Sequence, residues 1–563
     1  MHIYKSPEEI KIPTSLNLTE LLHASPLPPS HLIATDNLTN RSLTLGKLRE
    51  NAGTLASGLV KKLSPTDQAR WAIILPNSVD FLEIVHAILW TGGVVCPINH
   101  ALKPAEMAHG LGVTRPDYII AYGEVLASVE EAVAISGISP PKEIITIITR
   151  PKTKTKTTTK LLLHIPTSFL SSKNQTQLPI PHYNDTKTRL ATIHLSSGTT
   201  GHPKGVQLTH FNFVSNCHQL LHRDPEIFSP GSRCVAFTPW THIGNTTVPL
   251  FLAPWTGMFI HAMPAYDFPE YVSLISSTRA TFFQGVPSVV LQLANADETL
   301  YEKHDFSQAK VINVGGHLPA AITTKLLSRA PWRLNQVYGM TEAAGYVAYQ
   351  RYGEILPDDR STGRLLPGIE ACLKRENTVE DAPIGGPGEL WIRGPNITPG
   401  YAFNEEANAK AFPLGGGWYN TGDVCMIDSS RGFVSVVGRT KDLIKYKGFQ
   451  VSPAEIEALV NAHPHVVEGG VGATWDEGQL TELPTAWVVL KEDSFKTVEE
   501  QRRALRDIHR DVDREVSGYK KLRGGVWQVD HLPKNPTGKI VRKELVEMRD
   551  GPCSLDEANK AKL

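Results

Sequence analysis

Cysteine is scarce and scattered in this sequence: Cys96, Cys217, Cys234, Cys372, Cys425 and Cys553 include no close CxxC pair. Structural zinc and a disulfide framework are excluded on that ground, and buried thiols are expected. Charge of one sign is missing too. Lys plus Arg number 57 and Asp plus Glu number 57, so no global field recommends nucleic acid or an anionic membrane as partner. Long apolar runs are absent: the most apolar stretch, Val248 to Ile260, is broken by Pro254 and Gly257. A membrane span needs about 20 apolar residues in succession, so this stretch reads as buried core and no transmembrane segment is expected. The opening MHIYKSPEEIKIP has no apolar centre and does not read as a secretory signal. No GxxxxGK[ST] spacing occurs, which excludes a Walker A loop.

What is present is an ordinary globular composition, 41% hydrophobic and 20% charged. At 563 residues the chain exceeds the size at which one core stops growing, so at least two domains are expected. WAIILPNS (71–78) reads as a buried strand, DFLEIVHAILWTGG (80–93) as an amphipathic helix ended by Gly92 and Gly93, and VVCPIN as another strand. That order describes a βαβ unit and a largely parallel sheet, and similar alternation recurs through Gly315 and Tyr338. Beyond residue 440 a smaller segment has its own elements: SPAEIEALVNAH as helix, PTAWVVLK as strand and TVEEQRRALRDIHRDVDREV as a long charged helix. Ser452 and Glu455 have capping-box spacing, with Pro453 at the first helical position. The expected division is therefore 1–440 and 441–563. The basic run PKTKTKTTTK (151–160) lacks interleaved aromatics and reads as a solvated insertion.

The strongest local signal is HLSSGTTGHPKGVQLTH (194–210), a glycine- and hydroxyl-rich stretch followed by Lys204. Glycines let backbone N–H groups close on phosphate oxygens, hydroxyls add donors and the lysine adds charge. An apolar segment, ATIHL, leads into it, and VQLTHFNFVSN after it reads as helix.

With QVYGMTEAAG (336–345), YNTGD (419–423), GRTKDLIKYKGFQVSPAEIE (438–457) and KNPTGKI (534–540) following in order, the sequence resembles the adenylate-forming acyl-CoA ligases, including the 4-coumarate:CoA ligases and firefly luciferase. The resemblance runs from about residue 40 to residue 545. It implies an α/β fold, with a large N-terminal adenylate-forming domain of packed sheets and helices and a smaller mobile α+β C-terminal domain. It also implies ATP, Mg²⁺ and CoA as cofactors, a small-molecule carboxylic acid as substrate, and a small domain that rotates between two half-reactions. By resemblance, Ser196, Ser197, Gly198, Thr199, Thr200 and Lys204 hold the departing pyrophosphate. Glu342, beside Thr341, holds Mg²⁺, and Gln336 and Tyr338 belong to the nucleotide-binding set. Asp423 accepts the two ribose hydroxyls and Arg439 makes a second nucleotide contact. Gly438 stands where many relatives carry Asp, so the motif names no ion-pair partner for Arg439. Lys441 matches the hinge position; Lys445, Lys447, Gly448 and Gln450 match residues that approach the nucleotide or the CoA arm. Lys539 contacts the carboxylate and the α-phosphate during adenylation. His242 in PWTHIGN matches a histidine near the substrate carboxylate. Gly244 and Val337 depart from the pattern of 4-coumarate ligases, which fits a remodelled acyl pocket.

The chemistry wants these residue types because two anions, a carboxylate and a polyphosphate, must meet. Oriented donors and positive charge then have to stand where charge develops. A sibling expectation is transfer of the acyl group to a carrier-protein phosphopantetheine, although no segment after KNPTGKI offers a carrier bundle. Luciferase-like oxidation of the adenylate is demanded by none of the residues, and an inactive nucleotide-binding scaffold would be expected to have lost Lys204, Glu342, Asp423, Arg439 or Lys539. The ending Ala561-Lys562-Leu563 is a variant of the peroxisomal Ser-Lys-Leu signal, so an import receptor is the expected partner and the peroxisome the expected compartment, with the cytoplasm as the fallback.

Overall fold

Two sheets organise the N-terminal part of the computed structural model. It describes every residue except 148–160, 164–176, 197–202, 316–319, 357–360, 440–441, 447–448, 492–494, 535–539, 556–563 and the single positions 377, 478, 480, 496 and 517. The βαβ unit expected near the start is present as strand Arg70–Ile74, helix Val79–Trp90 and strand Val94–Pro97, with the two strands parallel. The helix starts where the Ser78 hydroxyl accepts the Phe81 N–H, and all of its residues are buried. It ends before Gly92, whose φ of +79° suits glycine.

This unit belongs to an eight-stranded sheet whose order runs Gly400–Tyr401, Gly205–Thr209, Leu190–Leu195, Val94–Pro97, Arg70–Ile74, Tyr118–Tyr122, Glu143–Ile147, Leu161–Leu163. From Leu190–Leu195 to Leu161–Leu163 the pairs are parallel, whereas Gly205–Thr209 is antiparallel to both of its neighbours. A second sheet of fourteen strands joins a parallel run, Leu32–Asp36 through Arg333–Met340, to an antiparallel half that includes the neighbours Tyr419–Ile427 and Phe433–Arg439 and ends at Tyr4–Lys5. The stretch Val248 to Ile260 is buried core as expected, apart from half-buried Trp255 and Thr256. All six cysteines are buried and unpaired with one another.

After Arg439 the strands pair only among themselves in the described residues: a small hairpin, Ile444–Tyr446 with Phe449–Val451, and a sheet of Val466–Asp476, Thr481–Leu490 and Val526–Gln528. Helix Val498–Glu515 lays Ala504, Leu505, Ile508 and Val512 on that sheet, a helical stripe beneath an otherwise charged surface. The architecture is thus α/β, with a large N-terminal domain and a smaller α+β C-terminal domain. No helix among the described residues is long and apolar enough to cross a membrane.

Two local expectations are corrected. VQLT is a strand rather than the start of a helix: Gly205–Thr209 pairs with Leu190–Leu195, and the helix begins at His210, capped by Thr209. Ladder bonds to a neighbouring strand outweighed the local helical reading. Helix Pro453–Ala462 starts at the expected proline, but the Ser452 side chain makes no capping bond. Glu455 instead takes Lys520 at 2.6 Å, and a full charge at that distance replaces the weaker reciprocal cap.

Gly339 is the tightest position beside the site. A Cβ there would lie 2.0 Å from the Gly345 carbonyl oxygen, with backbone rather than a flexible side chain as the obstacle. Gly339→Ala is expected to destabilise the N-terminal domain by about 1–3 kcal/mol, as overpacking does. Denaturant midpoints that match the parent protein would refute this.

Candidate active site

Ser196 and Lys204 bracket residues 197–202 at the ends of adjacent strands. The Ser196 N–H donates to the Lys204 carbonyl at 2.8 Å, and the Lys204 N–H donates to Ser196 Oγ at 3.2 Å. The antiparallel pairing of Leu195 with Gly205 makes this closure obligatory. Lys204 Nζ then lies 4.8 Å from the centre of the Tyr401 ring. The Tyr401 hydroxyl donates to Glu342 Oε1 at 2.8 Å and lies 3.1 Å from the Tyr419 hydroxyl. Burial first, and the Glu342 carboxylate second, push the Tyr401 phenol far above its ordinary range, so it remains a donor.

Glu342 occupies a single 3₁₀ turn, Thr341–Ala343, that reverses through Ala344 at φ +51° and Gly345 at φ +124°. Two segments hold this reversal. The Thr398 N–H donates to the Glu342 carbonyl at 2.8 Å, the Asn396 amide donates to the Ala343 and Tyr346 carbonyls, and Thr247 Oγ1 donates to the Ala344 carbonyl at 2.6 Å.

A second carboxylate is built a few strands away. Asp423 lies directly opposite Arg439 in the pairing of Tyr419–Ile427 with Phe433–Arg439. Arg439 Nε donates to Asp423 Oδ1 at 2.9 Å, and the Tyr338 hydroxyl donates to Oδ2 at 2.6 Å. Asp423 itself supplies the partner that the motif left unnamed for Arg439. A Cβ at Gly438 would stand 2.9 Å from Leu443 Cδ2, so a side chain there would require Leu443 to shift. Burial raises the Tyr338 phenol well above its usual value and the Asp423 charge adds to it. Burial works against the Arg439 cation, and Asp423 first, then Tyr338, Asp442 and Glu342, together more than offset that cost. Two residues before Tyr338 on the same strand, Gln336 is buried, its N–H bonded to the Gln350 side-chain oxygen at 3.0 Å.

His242 caps the short helix Ile243–Thr246, where its carbonyl accepts the Asn245 and Thr246 N–H groups. Two links bring this segment to the Glu342 turn: the bond from Thr247 to Ala344, and the Tyr346 hydroxyl at 3.5 Å from the Gly244 carbonyl. Thr246 Oγ1 donates to the Trp240 carbonyl at 2.7 Å and therefore accepts from His194 Nε2 at 2.9 Å. Burial first, then His242, pushes His194 down to about 3, so this imidazole is a neutral strut between the phosphate-loop strand and the His242 segment.

The structure therefore brings Lys204 and Glu342 to Tyr401, with Ser196 bonded to Lys204 and Thr341 preceding Glu342 in the turn, and joins Tyr338, Asp423 and Arg439 around one carboxylate. Lys445 and Gln450 are cross-strand partners in the small hairpin. Ser197, Gly198, Thr199, Thr200, Lys441, Lys447, Gly448 and Lys539 lie outside the described residues. Sequence reasoning missed Tyr401, Tyr419, His194 and Thr247. Tyr419 heads the YNTGD motif and His194 the phosphate-loop motif, and both were passed over; Tyr401 and Thr247 carry no spacing signal at all.

Residues 27–402 match the family described as AMP-binding enzyme, and residues 455–539 match its C-terminal domain. The chain belongs to the AMP-binding enzymes. Among curated relatives of this AMP-binding enzyme, a probable 4-coumarate–CoA ligase of Dictyostelium discoideum is 30% identical over 525 residues, covering 92% of each chain. A phenylacetyl-CoA ligase of Aspergillus niger is 28% identical over 516 residues, covering 91% of this chain and 92% of its own. The fold matches that of an anthranilate CoA ligase solved with anthranoyl-AMP, with a TM-score of 0.81 at 22% identity, covering 95% of this chain and 98% of that one. It also matches the Bacillus subtilis O-succinylbenzoate CoA synthetase solved with ATP and magnesium, with a TM-score of 0.75 at 22% identity, covering 94% and 100%.

In this AMP-binding enzyme Asp423 is the carboxylate of the candidate site held on both oxygens. Asp423→Ala is expected to weaken AMP binding by at least about tenfold, and Tyr338→Phe by about two- to tenfold, as for a lost hydrogen bond to a charged group. Calorimetric titration with AMP decides this, and equal affinity in all three proteins would contradict it.

Proposed function

We propose that this enzyme is an ATP-dependent carboxylic acid:CoA ligase. The observation that carries the reading is the pairing of two prepared carboxylates: Asp423 fixed by Tyr338 and Arg439, and Glu342 fixed by Tyr401 beside Lys204. A buried carboxylate with both oxygens oriented suits a cis-diol, and a lysine beside the bracketed loop suits a polyphosphate. The extended likeness to ligases that make acyl-CoA thioesters supports the same reading.

In the first half-reaction the substrate carboxylate attacks the α-phosphate of ATP. A carboxylate–phosphorus bond forms, the bond to the β-phosphate oxygen breaks and pyrophosphate leaves. Lys204 and the donors of 196–200 offset the charge on that leaving group, while Asp423 fixes the ribose and so the line of attack. Glu342 is the residue that would hold Mg²⁺: such an ion binds through one or two carboxylates plus substrate phosphates, so a single oriented acid fits it. When bound, Mg²⁺ supplies charge neutralisation on the phosphate oxygens. No cluster of three or more potential metal-binding side chains exists among the described residues, and none is needed for that mode. Lys539 bridges the carboxylate and the α-phosphate in this step. In the second half-reaction the CoA thiolate attacks the acyl carbon and AMP leaves, with the C-terminal domain turned to present Lys445, Lys447, Gly448 and Gln450. His242 lies at the acyl end and orients the carboxylate. The terminal Ala561-Lys562-Leu563 directs the enzyme to the peroxisome through the import receptor.

Purified enzyme with ATP, Mg²⁺ and a pooled panel of fatty, aryl and hydroxy acids is expected to form acyl-CoA in a CoA-dependent manner by mass spectrometry. Adenylate that accumulates and ignores CoA would sink the ligase reading and point to a carrier protein. Lys539→Ala is expected to lose about 10²–10³ in adenylation while thioester formation from supplied acyl-AMP falls far less. A fluorescent fusion ending in residues 554–563 should enter peroxisomes, and one extended past Leu563 should not.

A further inference from the structure

We propose that Asp442 and Arg542 form an ion-pair latch that sets the orientation of the C-terminal domain relative to the nucleotide site, with Asp442 as a positioning residue. This inference rests on the two-step reading above. Asp442 lies in the turn that follows strand Phe433–Arg439. Its N–H and that of Leu443 both donate to the Arg439 carbonyl at 3.0 Å, so its backbone is tied to the residue that grips Asp423. Arg542 is anchored from the other side. Its Nη2 donates to both oxygens of Glu457, at 2.8 and 2.7 Å, and its Nε donates to the Val471 carbonyl at 3.1 Å. Glu457 in turn accepts the Val471 N–H at 2.9 Å. The guanidinium is therefore locked into the helix Pro453–Ala462 and the edge strand Val466–Asp476 of the small domain.

Between these two anchored groups, Arg542 Nη1 stands 3.7 Å from Asp442 Oδ2. Among the described residues this is the one ion pair that joins the chain before residue 444 to the chain after it. A charged path thus runs from Asp423 through Arg439 and the turn to Asp442, and on to Arg542 and Glu457. The geometry suits a release point. The Glu457 contact is short, doubled and inside one domain, whereas the Asp442 contact is long, single and about a third exposed. Rotation about the turn breaks the weak contact first and leaves the small domain's own pair intact. Arg542 also closely follows the bridge between Lys534 and Ile540, so the latched group and the base of the KNPTGKI motif move as one piece.

The test uses the whole enzyme and Asp442→Asn, with Asp442→Glu as the conservative rescue. Adenylation is followed by pyrophosphate–ATP exchange, and thioester formation by supplying the acyl-AMP. Loss of the latch is expected to shift the ratio of the two half-reaction rates by about two- to fivefold, the worth of a partly exposed pair, with Asp442→Glu restoring it. Equal loss in both half-reactions, or no change in either, would overturn the proposal. A second readout needs no substrate: trypsin should cut after the lysines of 441–447 faster in Asp442→Asn than in the parent or in Asp442→Glu. An unchanged cutting rate would overturn the latch. An inactive parent enzyme that still shows faster cutting in Asp442→Asn would instead count against the ligase reading and leave the latch standing.

Discussion

The Tyr338–Asp423–Arg439 cluster of the candidate site depends on one buried carboxylate. Asp423 is almost fully buried, and an ionised carboxylate out of water is costly unless its oxygens are bonded. One oxygen takes a phenol and the other a guanidinium; Arg439 comes from the adjacent strand and Tyr338 from a strand farther along the same sheet. The antiparallel register that sets Asp423 opposite Arg439 is therefore as much part of the site as the side chains are. A slip of one residue would turn Asp423 to the other face of the sheet and leave both donors unsatisfied.

The second carboxylate obeys a different constraint. Glu342 sits on a reversal that only a left-handed Ala344 and a glycine at 345 permit, and strain of that kind persists only where the surroundings over-determine it. Here Thr398, Asn396 and Thr247 supply that determination, each from a segment distant in sequence. Gly339 completes the arrangement by leaving room for the Gly345 carbonyl. The tyrosines then serve as neutral donors, because burial beside carboxylates raises their phenols far beyond any pH at which they would ionise. His194 is neutral for the mirror-image reason: burial disfavours its charged form.

These two constraints share a consequence for how the domains communicate. The strand that ends at Arg439 delivers the chain directly into the turn of Asp442, so a rigid grip on the Asp423 carboxylate is also a rigid mount for the small domain. Arg542 meets that mount from a core of its own, built around Glu457 and Val471. On the proposed latch, nucleotide occupancy and domain orientation are biased through one short segment, which is the physical content of coupling between sites.

The amino-acid sequence by itself determined the family, the α/β class and the early βαβ unit, and it singled out Lys204, Glu342, Asp423 and Arg439, which the fold gathers into the two clusters. Those properties follow from local periodicity and from motifs whose residues are contiguous, such as SSGTTGHPKG and YNTGD. It did not reveal that VQLT is a strand, because the same apolar spacing serves helix or ladder until a neighbouring strand is present. It did not reveal that Ser452 leaves its cap unused, since Glu455 is claimed by Lys520 from 65 residues away. Nor did it reveal Tyr401, Thr247, the neutral His194 strut or the partner of Arg439. Each of those depends on a hydrogen bond or ion pair between segments remote in the chain, and a bond of that kind has no sequence spacing to betray it. Only the tertiary structure, by setting strand register and packing turns against one another, decided which donors meet which carboxylate.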